Sequence, residues 1–254
     1  MSGESGPIIP GLSLKTRLRN RLKDLYHTVI HRVESEEHWS GIFIADRFGP
    51  NVSFTFDDGP RPPFTEDISR FMRARGIPAT FFFTGHRVEK FPFSVRQVDQ
   101  DGHVIGNHSF SHPRLENMKD REIAREIDLT RAAIDLTLRD RYPNGYPLRY
   151  FRPPGGVPWT RDGTTKDRAQ LMKILNDRNM DLVMWQVDSS DWTFPNPSDI
   201  CQAVWDNLLA EQGGVLLFHD GYDNIFPALE EIIATLKDKG FSFHTLADLL
   251  KLRR

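Results

Sequence analysis

The stretch from Asn51 to Pro60 reads NVSFTFDDGP, and the rest of the chain is organised around it. Its largely apolar first six residues predict a buried strand, and the Gly-Pro pair that ends the stretch indicates a turn. Two adjacent carboxylates at the end of a buried strand repel each other unless a cation or a basic group separates them. Asp57 and Asp58 therefore indicate a site for positive charge, although a plain Asp-Gly turn explains the same pair equally well.

Predicted strands and helices alternate downstream of this stretch. We expect strands at 51–56, 79–84, 103–106, 149–152, 181–187, 214–218 and 241–244. We expect the helices at 65–75, 88–100, 120–139 and 164–178, from Ser198, up to Lys239, and after Thr245. Sustained alternation of this kind implies a parallel sheet, and seven strand–helix pairs favour a distorted α/β barrel, (β/α)7, over an open sheet.

Composition and charge narrow the classes of function. The 254 residues carry 33 Lys and Arg against 35 Asp and Glu, a formal net charge of -2 that provides no field for holding a nucleic acid. The single cysteine, Cys201, excludes an internal disulfide and a multi-cysteine zinc site. No stretch is long and apolar enough to span a membrane, and the first residues lack the apolar core of a signal peptide.

The N-terminal part of the chain differs from the rest. Residues 1–12 are rich in Gly and Pro and predict a flexible tail. Residues 13–33 place Leu and Val at spacings of three or four with Lys and Arg between them, which predicts a basic amphipathic helix. Such a helix packs on its own domain, lies on an anionic membrane surface or joins two subunits. We therefore expect an N-terminal extension over 1–45 and a catalytic domain over 46–254.

Polar motifs follow the predicted strands at their C-terminal ends, where α/β barrels carry their functional residues. These motifs are Asp57-Asp58, HSFSH at 108–112, RPPGG at 152–156, DSSDW at 188–192 and HDG at 219–221. His108 and His112 are four residues apart, so on one helical turn both imidazoles face the same side and can bind one metal. A carboxylate from another strand end completes three protein ligands and leaves a position open for water, which is the pattern of a catalytic metal site.

Five ordered motifs resemble those of the polysaccharide deacetylase family, also called the NodB-homology domain or carbohydrate esterase family 4. They are TFDDGP at 55–60, HSFSHP at 108–113, RPPG at 152–155, DSSDW at 188–192 and LFH at 217–219. The resemblance extends over about residues 51–250 and implies a NodB-like distorted barrel. It implies that Asp58, His108 and His112 bind one divalent metal ion, usually Zn²⁺, with Co²⁺ or another divalent ion as alternatives.

The same resemblance implies roles for the reacting groups. Asp57 would be the general base, kept ionised and oriented by Arg152. His219 would protonate the departing amine, with Asp191 holding its imidazole in the productive tautomer. The backbone amide of the residue after Arg-Pro-Pro would contact the oxyanion, and two apolar side chains would enclose the acetyl methyl group. These positions are Gly155, Trp192 and Leu217.

One position departs from the family pattern. Many family members have an aromatic residue after Arg-Pro-Pro, where this chain has Gly155 followed by Gly156. The backbone amide survives the change, but a side chain that would wall the groove is lost. The departure therefore affects the choice of substrate more than the catalysis. Trp159, in the same loop, is a candidate for stacking on a sugar.

The resemblance implies a metal-dependent hydrolase that removes acetyl groups from N-acetylglucosamine units of peptidoglycan or a chitin-like polymer, releasing free amine and acetate. Action on peptidoglycan would place the protein outside the cytoplasm. Two alternatives stay open. One is a deacylase acting on another substrate, such as acetylxylan or a small cyclic amide. The other is a glycan-binding module that keeps the fold without turnover.

Overall fold

A computed structural model describes residues 40–44, 46–158 and 165–253. The helix predicted at 13–33 and the side chain of Trp159 lie outside these residues, and the domain boundary at residue 45 stays a prediction. Residues 39–254 group into one compact unit. In the described part of the chain, no helix combines the length and the apolar character needed to cross a membrane.

Among the described residues, nine strands form one sheet. They are β1 (Gly41–Ile42), β2 (Asn51–Gly59), β3 (Ala79–Phe83), β4 (Val104–Asn107), β5 (Tyr150–Phe151), β6 (Asp181–Val183), β7 (Val187–Asp188), β8 (Gly214–His219) and β9 (Ser242–Phe243). The helices are α1 (Phe64–Ala74), α2 (Gly85–Lys90), α3 (Pro92–Gln100), α4 (Asp120–Leu138), α5 (Thr165–Asn176), α6 (Pro197–Glu211), α7 (Ile225–Asp238) and α8 (Leu246–Lys251). All of the strand pairs are parallel, as the alternation of strands and helices predicts.

Strand β2, which contains the opening stretch, lies in the middle of the sheet. The strand order is β1-β6-β5-β4-β3-β2-β8-β7, with β9 also paired to β2. The rings of Phe54 and Phe56 are fully buried, and each stacks on Phe218 of β8 with 5.8 Å between ring centroids. This central position explains why an almost uninterrupted apolar run precedes the two aspartates.

The strand predicted at 181–187 is interrupted, and the interruption curls the sheet. Strand β6 pairs with β5 and β1, whereas β7 pairs with β8 at the other end of the strand order. Residues 184–186 therefore connect two strands that lie near opposite ends of the strand order. One straight strand could not pair with β1 and β5 and also with β8. The expected distorted barrel is confirmed, and the single strand at 181–187 is wrong.

Two further elements differ from the sequence prediction. The helix expected at 88–100 is two helices, because Pro92 lacks an N–H and occupies the first turn of α3. Strand β1 was not predicted, since two residues are too few to show a periodicity. Gly41 allows its close pairing with β6: a Cβ on this residue, at φ 147°, would lie 2.2 Å from the Leu182 carbonyl oxygen.

The strand register brings the predicted motifs into one row at the C-terminal rim of the barrel. Asp57 is paired with His219 of β8. On the other side of β2, Phe83 pairs with Asn107, and Asn107 pairs with Phe151. His108 and Arg152 follow the last two residues directly. The polar residues that end four different strands therefore face a common space.

Candidate active site

An open cleft of about 660 Å³ lies at the C-terminal rim of the strands. Its lining contains members of all five sequence motifs, together with aromatic and apolar residues. The residues are Asp57, Asp58, His108, His112, Arg114, Gly155, Val157, Trp185, Asp188, Trp192, Leu217, His219 and Tyr222. A second cavity of about 670 Å³, beside Arg149 and Asp181, lies at the N-terminal ends of β5 and β6 and contains none of the motif residues.

Asp58, His108 and His112 form one cluster of ligand atoms, all within 4.8 Å of one another. The Oδ1 atom of Asp58 lies 3.1 Å from Nε2 of His112 and 3.4 Å from Nε2 of His108. This oxygen is buried and has no hydrogen-bond partner among the described residues. His108 Nδ1 lies 2.8 Å from the carbonyl oxygen of Arg152, so an N–H there leaves Nε2 as a lone-pair donor. The donor set fits a divalent metal ion.

The histidines converge through a loop, and the helical turn that we expected is wrong. Ser109 has φ 64° and His112 has φ 59°, both in the left-handed region that side chains disfavour. Side chains hold this loop in place: Asn107 accepts a 2.9 Å hydrogen bond from the Ser109 N–H. Glu126 of α4 accepts from the backbone N–H groups of Phe110 and Ser111, at 2.9 and 2.7 Å.

Asp58 also has a left-handed backbone, with φ 72°. The pairing between β2 and β3 shifts register between Asp57 and Gly59, so Asp58 is an irregularity in the strand. Burial favours the neutral carboxyl group, but the close imidazoles and the charge of His108 and His112 outweigh it and lower the pKa of Asp58. Such backbone strain is concentrated at functional sites, where the surrounding structure maintains it.

Asp57 and Arg152 form a buried ion pair. The Nη1 atom of Arg152 donates to Oδ1 of Asp57 at 2.7 Å and to Oγ1 of Thr55 at 2.9 Å, and Nε donates to the Val183 carbonyl at 3.1 Å. Arg152 is 0% exposed and Asp57 is 3% exposed, so both charged groups are removed from solvent. Burial lowers the pKa of Arg152, and the charge of Asp57 opposes this effect. The other carboxylate oxygen of Asp57 lies 3.7 Å from His108 Nε2, toward the ligand cluster.

The buried Asp191 and the half-buried His219 form a second pair. Nδ1 of His219 lies 2.8 Å from Oδ1 of Asp191, and Oδ2 of Asp191 accepts a 2.7 Å hydrogen bond from the His219 backbone N–H. Burial alone would lower the pKa of His219, but the hydrogen bond and the charge of Asp191 outweigh it and raise this pKa to about 9. At neutral pH the imidazole carries a proton on Nε2 as well as on Nδ1.

The other three predicted positions, Leu217, Trp192 and Gly155, line the same cleft, and their solvent exposure differs. Leu217 is 3% exposed, whereas Trp192 is 59% exposed and presents much of its ring to solvent. Gly155 lies at the cleft wall with φ 61°, and among the described residues no atom lies within 4 Å of a Cβ built on it. The backbone at this position is therefore left-handed, as a glycine readily allows.

Sequence reasoning missed Tyr222, Arg114 and Trp185 as lining residues. Tyr222 comes three residues after His219, so its position directly after a strand-end motif was an available signal. Trp185 is partly buried against the core and also lines the cleft, with its ring 5.7 Å from the Arg152 guanidinium. Arg114 follows the HSFSH loop and bonds Glu116 through Nε at 2.5 Å.

Comparison with known proteins identifies relatives that cover most of the described residues. A family model described as polysaccharide deacetylase matches residues 46–174. A peptidoglycan-N-acetylglucosamine deacetylase of Bacillus cereus is 33% identical over 204 residues, which cover 79% of this chain and 68% of the relative.

Solved structures show the same architecture. A peptidoglycan N-acetylglucosamine deacetylase, solved in complex with 4-naphthalen-1-yl-N-oxidanyl-benzamide, is 30% identical with a TM-score of 0.71. The match covers 85% of this chain and 95% of that one. A family CE4 pseudoenzyme from Bacillus anthracis is 25% identical with a TM-score of 0.68, and the match covers 80% of this chain and 66% of that one.

Proposed function

Because this chain belongs to the polysaccharide deacetylase family, we propose that it hydrolyses the N-acetyl groups of N-acetylglucosamine units in peptidoglycan or a chitin-like glycan, releasing free amine and acetate. The observation that carries this proposal is the convergence of three assemblies on one cleft. These are the ligand cluster of Asp58 with two histidines, the Asp57–Arg152 pair and the Asp191–His219 pair. Together they offer a base, an acid and a cation site, the groups that metal-assisted amide hydrolysis uses.

The family is metal-dependent, and we propose Zn²⁺ as the ion, with Co²⁺ or another divalent ion as alternatives. Two imidazole nitrogens and one carboxylate oxygen match the ligand types of catalytic zinc sites, which keep a position open. When bound, the ion supplies a Lewis acid that polarises the acetyl carbonyl and makes a water molecule more acidic. His108 is further oriented by its Nδ1 contact with the Arg152 carbonyl.

Asp57 is proposed as the general base. Arg152 holds one of its carboxylate oxygens at 2.7 Å, which leaves the other oxygen directed toward the ligand cluster to accept a proton from the attacking water. The water oxygen then bonds to the acetyl carbon, and negative charge develops on the carbonyl oxygen. A backbone N–H at Gly155, on the cleft wall, would donate to that oxyanion.

His219 is proposed as the general acid for the departing nitrogen. Its Nδ1 is held by Asp191, so Nε2 is the atom that delivers the proton as the carbon–nitrogen bond breaks. The raised pKa keeps this proton in place at neutral pH. Trp192 and Leu217 would enclose the methyl group of the acetyl substituent, and the products are acetate and a free amine.

The rival proposal is a glycan-binding module without turnover, and the pseudoenzyme among the structural neighbours gives it weight. The residues of this chain favour catalysis. A buried Asp57–Arg152 pair carries a desolvation cost that glycan binding does not explain, and the raised pKa of His219 suits a proton donor. Acetylxylan and small cyclic amides remain as alternative substrates.

The test is acetate release by zinc-loaded protein from three substrates: a chitooligosaccharide, peptidoglycan and acetylxylan. We expect release from one of the two N-acetylglucosamine polymers, and we expect Asp57→Asn to reduce the rate by about 100-fold or more while zinc stays bound. Asp206→Asn, on an exposed part of α6, is the matched control. A near-normal rate in Asp57→Asn would refute the base assignment, and a tightly bound ion in His108→Ala would refute the ligand set.

Action on peptidoglycan would require an extracytoplasmic location, which is part of the proposal. The predicted helix at 13–33 would add a membrane-surface or subunit contact to the same enzyme. Liposome sedimentation of the chain with and without residues 1–40 tests this point. Loss of sedimentation in the shortened chain would support the membrane contact, and equal sedimentation would contradict it.

A further inference from the structure

The second cavity, of about 670 Å³, lies at the opposite end of the strands from the candidate active site. It is an open groove beside the starts of β5 and β6, and its volume is that of pockets that hold small molecules. Three arginines, two asparagines and one aspartate contribute to the lining of this rear groove. They are Arg131, Arg149, Arg178, Asn176, Asn179 and Asp181.

Arg131 contributes a positive charge that forms no ion pair with any carboxylate of the described residues. It is half-buried on α4, and its Nη2 donates to the Leu148 carbonyl oxygen at 2.9 Å. Asp135, one turn further along the helix, accepts instead from the backbone N–H of Tyr146 at 2.8 Å. The contact with Leu148 fixes the guanidinium of Arg131 beside the next residue of the groove wall, Arg149.

Arg149 is oriented by a carboxylate but keeps its terminal nitrogens for a ligand. Its Nε donates to Oδ2 of Asp181 at 2.6 Å, and the other carboxylate oxygen of Asp181 accepts from the Ser40 hydroxyl. Within the part of the chain that the structure describes, neither Nη atom of Arg149 forms a hydrogen bond, and the side chain is 59% exposed. Both oxygens of Asp181 are therefore occupied, whereas two nitrogens of Arg149 stay open to a ligand.

The end of α5 and the turn after it form another wall of the rear groove. Arg178 in this turn is neutralised, because its Nε and Nη2 donate to the two carboxylate oxygens of Asp128 at 2.7 and 2.8 Å. Asn176 and Asn179 are exposed, and their carboxamides bond none of the described residues. Each carboxamide offers an NH₂ donor to an anion. The groove therefore combines one uncompensated positive charge with donors from three parts of the chain.

We propose that the rear groove binds a phosphate group carried by a molecule of about the size of a sugar. Guanidinium groups bond phosphate and carboxylate oxygens through several N–H donors. One guanidinium already satisfies both oxygens of a carboxylate, whereas donors from three parts of the chain match the tetrahedral oxygens of a phosphate. The groove is larger than one inorganic anion, so the remainder of the molecule fits in it as well.

This inference goes beyond the proposed function. The rear groove and the cleft share no lining residue, and they lie at opposite ends of the strands. A ligand in the rear groove therefore does not occupy the position of the glycan that is deacetylated.

The test is calorimetric titration of the full-length, zinc-loaded protein with glucose 6-phosphate, glucuronate, glucose and inorganic phosphate. We expect glucose 6-phosphate to bind more tightly than each of the other three probes. Arg131→Gln should weaken its binding about tenfold, because the variant removes the uncompensated charge. Arg125→Gln is the matched control, since Arg125 is exposed on the same helix outside the groove, and it should leave the affinity unchanged.

A second variant tests the groove without removing an arginine. Asn179→Asp adds a negative charge to the lining, at a left-handed position with φ 52° that aspartate tolerates. It should also weaken binding of glucose 6-phosphate about tenfold, whereas Gln100→Glu, at an exposed position outside the groove, should not. Urea midpoints that match the wild type show that a lost affinity comes from the groove itself. Raising the salt concentration should weaken binding to the wild type.

Sedimentation with vesicles distinguishes two sources of the phosphate. Phosphatidylglycerol vesicles present it on a lipid headgroup, and phosphatidylcholine vesicles are the control. Weaker sedimentation of Arg131→Gln than of the wild type with phosphatidylglycerol would assign the phosphate to a lipid. Equal sedimentation of the two proteins, with glucose 6-phosphate bound in the groove, would assign it to a soluble molecule.

Three results would overturn the inference. They are equal wild-type affinities for glucose and glucose 6-phosphate, equal affinities for glucuronate and glucose 6-phosphate, and unchanged affinity for glucose 6-phosphate in both Arg131→Gln and Asn179→Asp. Acetate release tests the proposed function separately. We expect both variants to release acetate at the wild-type rate, because the altered residues lie at the end of the strands away from the cleft.

Discussion

At the scale of single residues, the carboxylate of Asp191 decides whether His219 carries a proton. It bonds both the imidazole and the backbone N–H of His219, and it raises the imidazole pKa to about 9 against the effect of burial. A general acid must be protonated, so the rate should fall as the pH rises through this pKa.

The prediction that follows concerns Asp191→Asn, which keeps the shape of the side chain and removes its charge. Without that charge the pKa of His219 should fall toward 6.5, and the basic limb of the kcat/KM profile should move to lower pH by about one unit or more. The profile of acetate release from pH 6 to about pH 10 measures the shift. Asp206→Asn should leave the limb in place. A limb that stays near pH 9 in Asp191→Asn would show that His219 is not the acid.

Most residues that line the candidate site could be predicted from the sequence to lie together, but their conformations could not. The ordered motifs identify Asp58 and His112, yet no pattern of residue types predicts a left-handed backbone at either position. The contact of Arg152 with Asp57 follows from the motif, whereas its further bonds to Thr55 and Val183 depend on strands distant in sequence. Conformation at these positions is imposed by the assembled sheet.

At the scale of elements, helix α4 holds the loop of the metal-ligand cluster. Glu126 on this helix accepts hydrogen bonds from two backbone N–H groups and from the Ser111 hydroxyl of the loop. The loop contains left-handed residues at Ser109 and His112, so it depends on such external contacts to keep its conformation.

We predict that Glu126→Ala weakens zinc binding about tenfold, because supporting contacts around a metal site contribute to the affinity through the orientation of the ligands. Competition with a chromogenic chelator measures the zinc affinity. Asp128→Ala is the matched control on the same helix, since Asp128 pairs with Arg178 on the other side. Unchanged zinc affinity in Glu126→Ala would show that the loop keeps its shape without this helix.

Most elements could be predicted from hydrophobic periodicity, and the misses have physical causes. The run from Leu182 to Val187 reads as one strand because all of its residues except Gln186 are apolar, and a single polar residue does not show where the pairing partner changes. Strand β1 is too short for any period. The sequence did contain a signal that α2 and α3 are separate helices. Proline is favoured in the first turn of a helix and disfavoured in its interior, so Pro92 indicates the start of a new helix.

At the scale of the whole molecule, the curl of the sheet depends on the break between β6 and β7. Gln186 lies in this break, and its carboxamide connects three parts of the chain. Its Nε2 donates to the Phe43 carbonyl at 2.6 Å, and its Oε1 accepts from the Val215 N–H at 2.8 Å. A Cβ on Gly214, which has φ 111°, would lie 2.5 Å from that oxygen, so the glycine makes room for it.

We predict that Gln186→Ala destabilises the domain by about 1–3 kcal/mol, because the buried Val215 N–H loses its acceptor. Urea unfolding followed by circular dichroism measures the loss, which should appear as a lower midpoint with an unchanged slope. Gln202→Ala removes a carboxamide that bonds only Asp206 on the exposed face of α6, and it should cost less than about 0.5 kcal/mol. Equal urea midpoints for the two variants would show that the hydrogen bonds of Gln186 do not stabilise the curled sheet. A lower rate of acetate release from folded Gln186→Ala would further show that this closure also positions the strand ends in the cleft.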